Sequence, residues 1–166
     1  MSHHSKATGF HPVRHDRLLQ ENRHDTYRIR GKLAEPTVCP GCGAVFHEGR
    51  WQWIPRPAQA AEQICPACNR IADELPAGFV HISGAFFADH REELVHLLNN
   101  TAAQESAERP LERLMAMTAA NGGMLVTTTG IHLARRLGEA LHSAYQGDLE
   151  YHYNEEEMLL RVHWQR

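Results

Sequence analysis

Four cysteines are the residues of this chain whose spacing most directly indicates chemistry. They form two C-P-x-C motifs, Cys39 with Cys42 and Cys65 with Cys68, and 22 residues separate the motifs. A two-residue spacer allows one tight turn to direct both sulfurs at the same ion, and four thiolates suit tetrahedral Zn²⁺. The sequence therefore predicts one zinc ion bound by all four cysteines. A shell closed by four protein ligands leaves no position for water or substrate, so the predicted role is structural.

A redox-active dithiol and a disulfide are the competing interpretations of these motifs. A thioredoxin-like C-x-x-C opens a helix after a strand, whereas both motifs here lie in Pro- and Gly-rich sequence. The N-terminal residues have no apolar segment typical of a secretory signal, and no window approaches ~18 apolar residues. We therefore expect a cytoplasmic protein with reduced thiols and no membrane partner. His47 is an alternative ligand, but four cysteines already complete the shell.

Motifs that would indicate an enzyme are not found in the sequence. There is no G-x4-G-K-[ST] loop for phosphate, and the histidines form no H-E-x-x-H pattern. The motif at Cys65 matches half of a zinc deaminase pattern, but His47 and Glu48 are adjacent where that pattern needs His-x-Glu. We therefore expect a protein that is not an enzyme, and a hydrolase or redox enzyme is the least favoured class.

Charge divides the chain into a basic N-terminal part and an acidic C-terminal part. Residues 1–70 carry ten Lys or Arg against six Asp or Glu, whereas residues 71–166 carry seven against fourteen. Only two of the seventeen basic residues are Lys, so the basic part presents mainly guanidinium groups, which bind phosphate and stack on bases. This distribution favours an anionic partner for the basic part and a protein partner for the acidic part.

Residues 1–37 are predicted to form a basic, His-rich arm. Apolar residues are too few there to build a core, although a short helix over 15–23 fits the sequence. Two compatible interpretations remain: a solvated tail in the free protein, and a segment that becomes ordered on RNA. The candidate RNA contacts in the arm are Arg14, Arg17, Arg23, Arg28, Arg30 and Lys32.

Residues 38–75 are predicted to form a zinc ribbon in which the metal replaces a hydrophobic core. Zinc binding contributes about 10–16 kcal/mol to units of this kind. Between the two motifs, Trp51 and Trp53 alternate as in a strand, flanked by Arg50 and Arg56. Two roles are open for them. The tryptophans cover the metal or dock onto the next domain, or all four residues form a platform for RNA bases.

Residues 76–166 have the pattern of a separate α+β domain. An apolar, β-rich segment over 79–87 predicts a strand. Asp89 and Glu92 have the spacing of a capping box, so a helix should begin there and stop before Pro110.

A hairpin is predicted next, around the Asn121-Gly122 turn. Residues 111–118 are good helix formers, so a helix over that segment is the alternative to the first strand. An extended segment is favoured because Asn-Gly between two apolar runs is a strong indication of a hairpin.

The domain is predicted to close with a helix over 130–146, capped by Thr129 and stopped by Gly147, and with a hairpin over 148–164. The resulting order is β-α-β-β-α-β-β. Its first six elements predict a ferredoxin-like (split βαβ) sandwich with both helices on one face and an extra C-terminal strand. The predicted buried positions of the second helix are Ile131, Leu137 and Leu141.

These features resemble a family of small bacterial zinc-ribbon proteins of unassigned function, some of which are labelled ATPase. The resemblance covers nearly the whole chain, through both C-P-x-C motifs, RIADELPAGFVHISGAFFADHREEL and TTTGIHLARRLGEALHSAYQGDLEYHYN. More distantly, the chain is similar to the zinc-binding adaptor that escorts the large ribosomal subunit in archaea and eukaryotes, where a multi-cysteine zinc module precedes an α/β domain. It departs from that adaptor in having four cysteines rather than a larger set.

The residues and the resemblance together predict a non-enzymatic zinc protein that associates with the ribosome or with structured RNA. The resemblance carries the ribosomal part of this prediction, and the basic residues carry the RNA part. The alternative is a zinc-stabilised protein–protein adaptor or regulator that uses its acidic domain and does not bind RNA.

Overall fold

A computed structural model describes residues 11–13 and 27–166 of the chain. These residues form two sheets and four helices, which confirms the α+β class. The strands are β1 (His11–Val13), β2 (Thr37–Val38), β3 (Val45–His47), β4 (Arg50–Gln52), β5 (Ala61–Glu62), β6 (Gly78–Ser83), β7 (Leu114–Ala120), β8 (Gly123–Thr128), β9 (Asp148–Asn154) and β10 (Leu159–Gln165). The helices are α1 (Pro66–Asp73), α2 (Ala85–Asp89), α3 (Arg91–Glu108) and α4 (Ile131–Tyr145).

The smaller sheet has four strands of two or three residues, in the order β4-β3-β2-β5. β2 pairs antiparallel with β3 and parallel with β5, and α1 follows β5. Val38 and Val45, which face each other across β2 and β3, are buried. So small an apolar core contributes little, because burial of one valine is worth only about 1.5–3 kcal/mol.

Helices cover one face of the larger, six-stranded sheet. Inward residues alternate along its central strands, so Val80, Val126 and Val162 are fully buried while the residues beside them are half-buried or exposed. Leu98 of α3 and Leu137 of α4 are fully buried in the same core. This unit is therefore stabilised by burial of a continuous apolar core.

The strand order of the larger sheet is β1-β9-β10-β6-β8-β7. From β6 to β10 the predicted succession β-α-β-β-α-β-β is confirmed, with α2 as an additional short helix. The split βαβ arrangement would place the strand after α4 beside β6, but β9 lies one position further out. β10 instead returns between β9 and β6 and runs parallel to β6. The three fully buried apolar residues of β10, Leu160, Val162 and Trp164, fit this more central position.

The strand predicted over 79–87 ends earlier, at Ser83. Gly84 follows with a φ of 103°, a left-handed conformation that glycine adopts without strain and that turns the chain out of the sheet. The next five residues form α2, and Phe87 of this helix is buried in the core. The apolar run therefore continues as a helix rather than as a strand.

The capping box predicted at Asp89 is wrong. Asp89 is the last residue of α2, and α3 begins after His90, which makes no side-chain capping hydrogen bond. The ring of His90 stacks on Phe86 with 4.1 Å between centroids, so packing decides the conformation where the local pattern suggested a cap. α3 ends before Pro110, as predicted.

Both predicted hairpins are present. β7 and β8 pair antiparallel around Asn121 and Gly122, whose φ values of 47° and 73° are those of a type I′ turn. The helix alternative over 111–118 is therefore wrong from Leu114 onward. β9 and β10 form the C-terminal hairpin, with alternate residues buried on one side.

α4 begins and ends within one residue of the predicted bounds, and Ile131, Leu137 and Leu141 are buried as predicted. The predicted N-cap, Thr129, is wrong because Gly130 occupies that position. The hydroxyl of Thr129 instead donates to the carbonyl of Leu111 at 2.7 Å, which fixes the chain before β7.

Part of the predicted arm belongs to the larger sheet. β1 pairs antiparallel with Tyr151–Tyr153 of β9 and forms an edge strand. Further along the chain, the hydroxyl of Tyr27 donates to the carboxylate of Asp73 in α1 at 2.8 Å. The helix predicted over 15–23 lies outside the described residues.

Candidate metal centre

The topology of the smaller sheet brings the two cysteine motifs to one edge. β2 and β5 are parallel neighbours, with Thr37 opposite Ala61 and Val38 opposite Glu62. Because parallel strands run in the same direction, the segments that follow them leave the sheet at the same edge. The motif after β2 and the motif after β5 therefore emerge side by side, although they are distant in sequence.

The first motif lies in a tight loop closed by backbone hydrogen bonds. The N–H of Cys39 donates to the carbonyl of Ala44 at 2.8 Å, and the N–H of Gly43 donates to the carbonyl of Cys39 at 2.8 Å. Gly43 has a φ of 83°, which favours glycine. At Gly41 a Cβ would lie 3.1 Å from Sγ of Cys68, so a side chain there would crowd the sulfurs.

The second motif begins α1. Cys65 is the N-cap, Pro66 is the first helical residue, and Sγ of Cys65 accepts a hydrogen bond from the N–H of Cys68 at 3.4 Å. The backbone N–H of Cys65 donates to Sγ of Cys39 at 3.2 Å and so connects the two motifs. Unpaired N–H groups at a helix start carry partial positive charge, which stabilises a thiolate.

The four sulfurs converge on one point, and we call this group the tetracysteine site. Ligand atoms of Cys39, Cys42, Cys65 and Cys68 all lie within 4.8 Å of one another, and all four residues are free cysteines. Among residues 11–13 and 27–166, no other group of three or more Cys, His, Asp or Glu side chains converges in this way. They can therefore coordinate a metal ion. His47, the alternative ligand, is exposed and outside the group.

Crowding makes it costly to ionise all four thiols in the absence of a cation. Burial opposes ionisation of Cys39, but hydrogen bonds from the backbones of Cys65, Cys42 and Gly41 outweigh it and lower the pKa of this thiol to about 7. Burial raises the pKa of the Cys65 thiol, and negative charge on the other sulfurs raises it further. A bound cation would remove this repulsion and hold the sulfurs as thiolates.

A cation from the other unit reaches the tetracysteine site. Arg113, just before β7, donates from Nη2 to Sγ of Cys68 at 3.2 Å and to Sγ of Cys65 at 3.3 Å. Burial opposes the charge on this guanidinium, but the hydrogen bond to Cys68 and the negative sulfurs raise the pKa of Arg113. Arg113 was not predicted as a functional residue, because its only indication in the sequence is a charged Glu-Arg pair at the start of an apolar strand.

Glu112, the other member of that pair, contacts a different element. Its buried carboxylate accepts the backbone N–H of Leu133 at 2.9 Å, in the first turn of α4. A carboxylate at this position satisfies an otherwise unpaired donor and complements the helix dipole. Two adjacent residues thus contact the sulfurs on one side and the start of α4 on the other, which ties the site to the larger unit.

Both tryptophans between the motifs have structural contacts. Trp51 packs against the buried cysteines together with Leu111, and its ring meets Phe46 edge-on at 5.6 Å. The indole N–H of Trp53 donates to the carbonyl of Ser106, in α3, at 2.6 Å. Trp51 therefore covers the tetracysteine site and Trp53 docks onto the larger unit, which is the first of the two roles considered from the sequence.

The candidate RNA contacts fall into three groups. Arg56 pairs with Glu62 at 2.8 Å. Four other cations are exposed and form no ion pair with any described residue: Arg28, Arg30, Lys32 and Arg50. The remaining three, Arg14, Arg17 and Arg23, lie outside the described residues.

Two of these exposed cations lie near the turn that Glu35 contacts in the smaller sheet. Its carboxylate accepts the backbone N–H groups of Glu48 and Gly49, at 2.8 and 3.2 Å, in the turn between β3 and β4. Lys32 precedes Glu35 by three residues and Arg50 follows that turn directly. Three residues of extended chain span about 10 Å, so both cations lie close to this one contact.

Comparisons with protein families, with curated proteins and with solved structures find no match to this chain. Among the described residues, no helix combines the length and the apolar character needed to cross a membrane. The function must therefore be inferred from the site itself.

Proposed function

We propose that this chain is a non-enzymatic zinc protein that associates with structured RNA, with the ribosome as the source of that RNA. The proposal combines a closed structural metal site with a set of exposed cations, which we call the basic surface. The exposed basic surface, Arg28, Arg30, Lys32 and Arg50, is the observation that carries the RNA part.

Zinc fits the tetracysteine site better than Mg²⁺ or Ca²⁺ does. A tetrahedron with Zn–S distances of about 2.3 Å has sulfurs about 3.8 Å apart. The Sγ atoms of Cys42 and Cys65 lie 3.8 Å apart. Thiolate ligands also favour zinc over Mg²⁺ or Ca²⁺, which prefer oxygen. When bound, zinc would supply structure alone, because four cysteines leave no position for a reacting water.

RNA fits the basic surface because its cations lack acidic partners among the described residues. A guanidinium outside any ion pair can bind a phosphate without first breaking an existing contact. Each such contact also releases counterions from the nucleic acid. The distant similarity of the two C-P-x-C motifs and the following domain to a ribosomal-subunit adaptor supports the ribosome as the partner.

Sedimentation with ribosomes tests the proposal. The zinc-loaded full chain is mixed with purified ribosomes at several salt concentrations, and a double variant, Arg28→Gln with Arg30→Gln, is compared with wild type. We expect the variant to lose about tenfold in affinity and about two units of salt slope, because each phosphate contact contributes roughly one unit. Point variants are preferred to deletion of residues 1–32, since deletion would also remove β1 from the sheet.

The matched control is Arg91→Gln with Arg109→Gln, two exposed arginines of the larger unit. It changes net charge equally and should leave binding within about twofold. Equal loss in both double variants would show a nonspecific charge effect and would contradict the proposal.

A protein partner is the second candidate, and one observation favours it. Three large aliphatic residues of the smaller unit, close in sequence to the second cysteine motif, are exposed: Ile64, Ile71 and Leu75. Exposed apolar groups of this kind suit a protein contact better than a phosphate backbone. Failure of the wild-type chain to sediment with ribosomes or to bind any RNA at low salt would favour this adaptor function.

A further inference from the structure

The face of the larger sheet opposite the helices carries planar side chains in its centre. We call these five residues the open face: Phe79, His81, His152, Arg161 and His163. His81 on β6 and His163 on β10 are partners in register, and Phe79 and Arg161 are partners two residues earlier on the same strands. An outward sheet face normally carries polar side chains such as Thr or Lys, so a group of rings there requires a reason.

The rings of the open face are close to one another. The imidazole of His163 lies 5.7 Å from that of His81 and 5.7 Å from that of His152, measured between centroids. The guanidinium of Arg161 lies 4.5 Å above the ring of Phe79. Arg161 and His163 are exposed, whereas Phe79, His81 and His152 are half-buried. The group forms a patch of π-surfaces that spans three neighbouring strands.

A metal site is a weaker interpretation of these histidines. Among the described residues, the ligand atoms of three or more such side chains converge only at the four cysteines. The ring of His163 is tilted by 50° from that of His81 and meets that of His152 edge-on, at 86°. Each exposed ring face can therefore stack on a separate planar group, such as one base of a single strand.

A cleft adjoins the open face at the Asp148 end of β9. It is an open cleft of about 620 Å³, and its lining includes His81 and His163 together with Asp148 and Glu150. The side chains of Ser83 and Gln165 line it as well and offer hydrogen-bonding groups. A nucleobase stacked on His163 would place its polar edge near these groups.

We propose that the open face binds unpaired RNA, with bases stacked on Phe79, His81 and His163 and with phosphate held by Arg161. This inference rests on the proposed RNA-binding function and names the surface that would contact bases. Base stacking on aromatic side chains and on arginine is how single-stranded nucleic acid is usually held.

The position of β1 connects this face to the basic arm. β1 pairs with β9, and Pro12 lies opposite His152 of the open face. Val13, the last residue of β1, directly precedes Arg14 in the sequence.

Protonation would strengthen this contact. When the imidazoles are neutral, the one positive charge of Arg161 is outnumbered by the two negative charges of Asp148 and Glu150, which lie on the same face of the sheet. Burial, together with the charges of His81 and His152, lowers the pKa of His163, so it gains its proton at lower pH than an ordinary histidine. A phosphate would raise that pKa in the complex. The added affinity is therefore present at low pH and is lost as pH rises through the pKa of the complex.

Fluorescence anisotropy of the zinc-loaded full chain with labelled single-stranded RNA tests the proposal. The probes are oligo-U and oligo-A of about ten nucleotides, a length suited to one such surface, and a hairpin RNA serves for comparison. The variant Arg161→Gln with His163→Gln should weaken single-strand binding about tenfold or more. Wild type should bind more tightly at about pH 6 than at about pH 7.5, and the variant should lose most of that difference.

The matched control is Arg91→Gln with His96→Gln, an exposed pair on α3, and it should bind as wild type does. One outcome would overturn the open-face proposal and leave the proposed function standing. In that outcome the open-face variant binds single strands normally, while Arg28→Gln with Arg30→Gln weakens ribosome binding. The same conclusion follows if wild type binds ribosomes and hairpin RNA but no single strand. If wild type binds no RNA at either pH, both are overturned.

Discussion

The two sheets of this protein achieve stability by different means. In the smaller sheet the strands have two or three residues, and two of the few fully buried side chains of this unit are Cys39 and Cys65 of the tetracysteine site. In the larger sheet the strands reach seven residues, and leucines of α3 and α4 pack on alternating valines and isoleucines. The second unit is therefore stabilised by apolar area, whereas the first has little of it and would depend on the zinc ion proposed above.

The difference has a consequence where the units meet. Arg113 belongs to the larger unit, but its charge is balanced by the sulfurs of the smaller one. A half-buried guanidinium without an anionic partner is destabilising. Loss of metal should therefore unfold the smaller sheet and also weaken the larger one, although the larger core contains none of the ligands.

The largest effect is expected from Cys65→Ser. Zinc contributes about 10–16 kcal/mol to small units of this kind, so the variant should hold well below one zinc per chain and lose amide protection throughout residues 37–64. The larger unit should keep its helices but melt a few degrees lower, since about 1 kcal/mol shifts Tm by roughly 4–8 °C in a domain of this size. Metal analysis and hydrogen exchange provide the measurements.

Wild-type protein treated with a zinc chelator is the control for this variant. It should reproduce the same exchange pattern, because removal of the ion and removal of a ligand affect the same unit. Full zinc content together with normal protection in Cys65→Ser would show that the metal is not what stabilises the smaller sheet.

The next largest effect is expected from Leu141→Ala, in the core of the larger unit. Leu141 is fully buried, and removal of a leucine side chain from such a site costs about 2–5 kcal/mol. Urea denaturation measures the loss, and zinc content should stay unchanged. Leu75→Ala is the matched control: Leu75 is exposed, so its loss should stay under about 0.5 kcal/mol. Similar losses at both positions would mean that Leu141 is not part of the core.

Sequence patterns predicted the local elements better than their arrangement. The hairpin at Asn121 and the apolar face of α4 follow from turn chemistry and helical periodicity, which act within a few residues. The order of β9 and β10 in the sheet does not follow from such local patterns. Both strands have the same alternation of buried and exposed residues, so either strand of the hairpin could pair with β6. That choice is made by packing against the whole core.

The metal site shows the same division. Spacing alone predicted that Cys39, Cys42, Cys65 and Cys68 act together, since two sulfurs per turn is a local property. Nothing local in the sequence connects Arg113 to them, because 45 residues separate it from Cys68 and the contact depends on how the units dock. Tertiary contacts of single polar residues are therefore the part that sequence reasoning could not reach.

A smaller effect is expected from Arg113→Met. The substitution removes both hydrogen bonds to the sulfurs, and loss of a partner that supports metal ligands typically lowers metal affinity about 10–100-fold. Competition with a chromophoric zinc chelator measures that affinity, and Arg113→Lys should recover part of it. Arg109→Met, at an exposed neighbour, is the matched control and should leave affinity unchanged. Unchanged affinity in Arg113→Met would mean that this residue only fills space at the interface.

The smallest effect is expected from Trp53→Phe, which removes a second polar contact between the units. The indole N–H of Trp53 donates to the carbonyl of Ser106 at 2.6 Å, and phenylalanine keeps most of the ring but has no donor. A hydrogen bond of this kind contributes about 0.5–1.5 kcal/mol to the free energy of unfolding. The informative measurement is a double-mutant cycle with Arg113→Met, because two contacts that hold the same interface should not be additive. A coupling energy of about 0.5 kcal/mol or more would show that the metal centre and Trp53 act on one docking equilibrium. Strict additivity would mean that the smaller sheet is attached at two independent points, and that the metal does not control how the units are positioned.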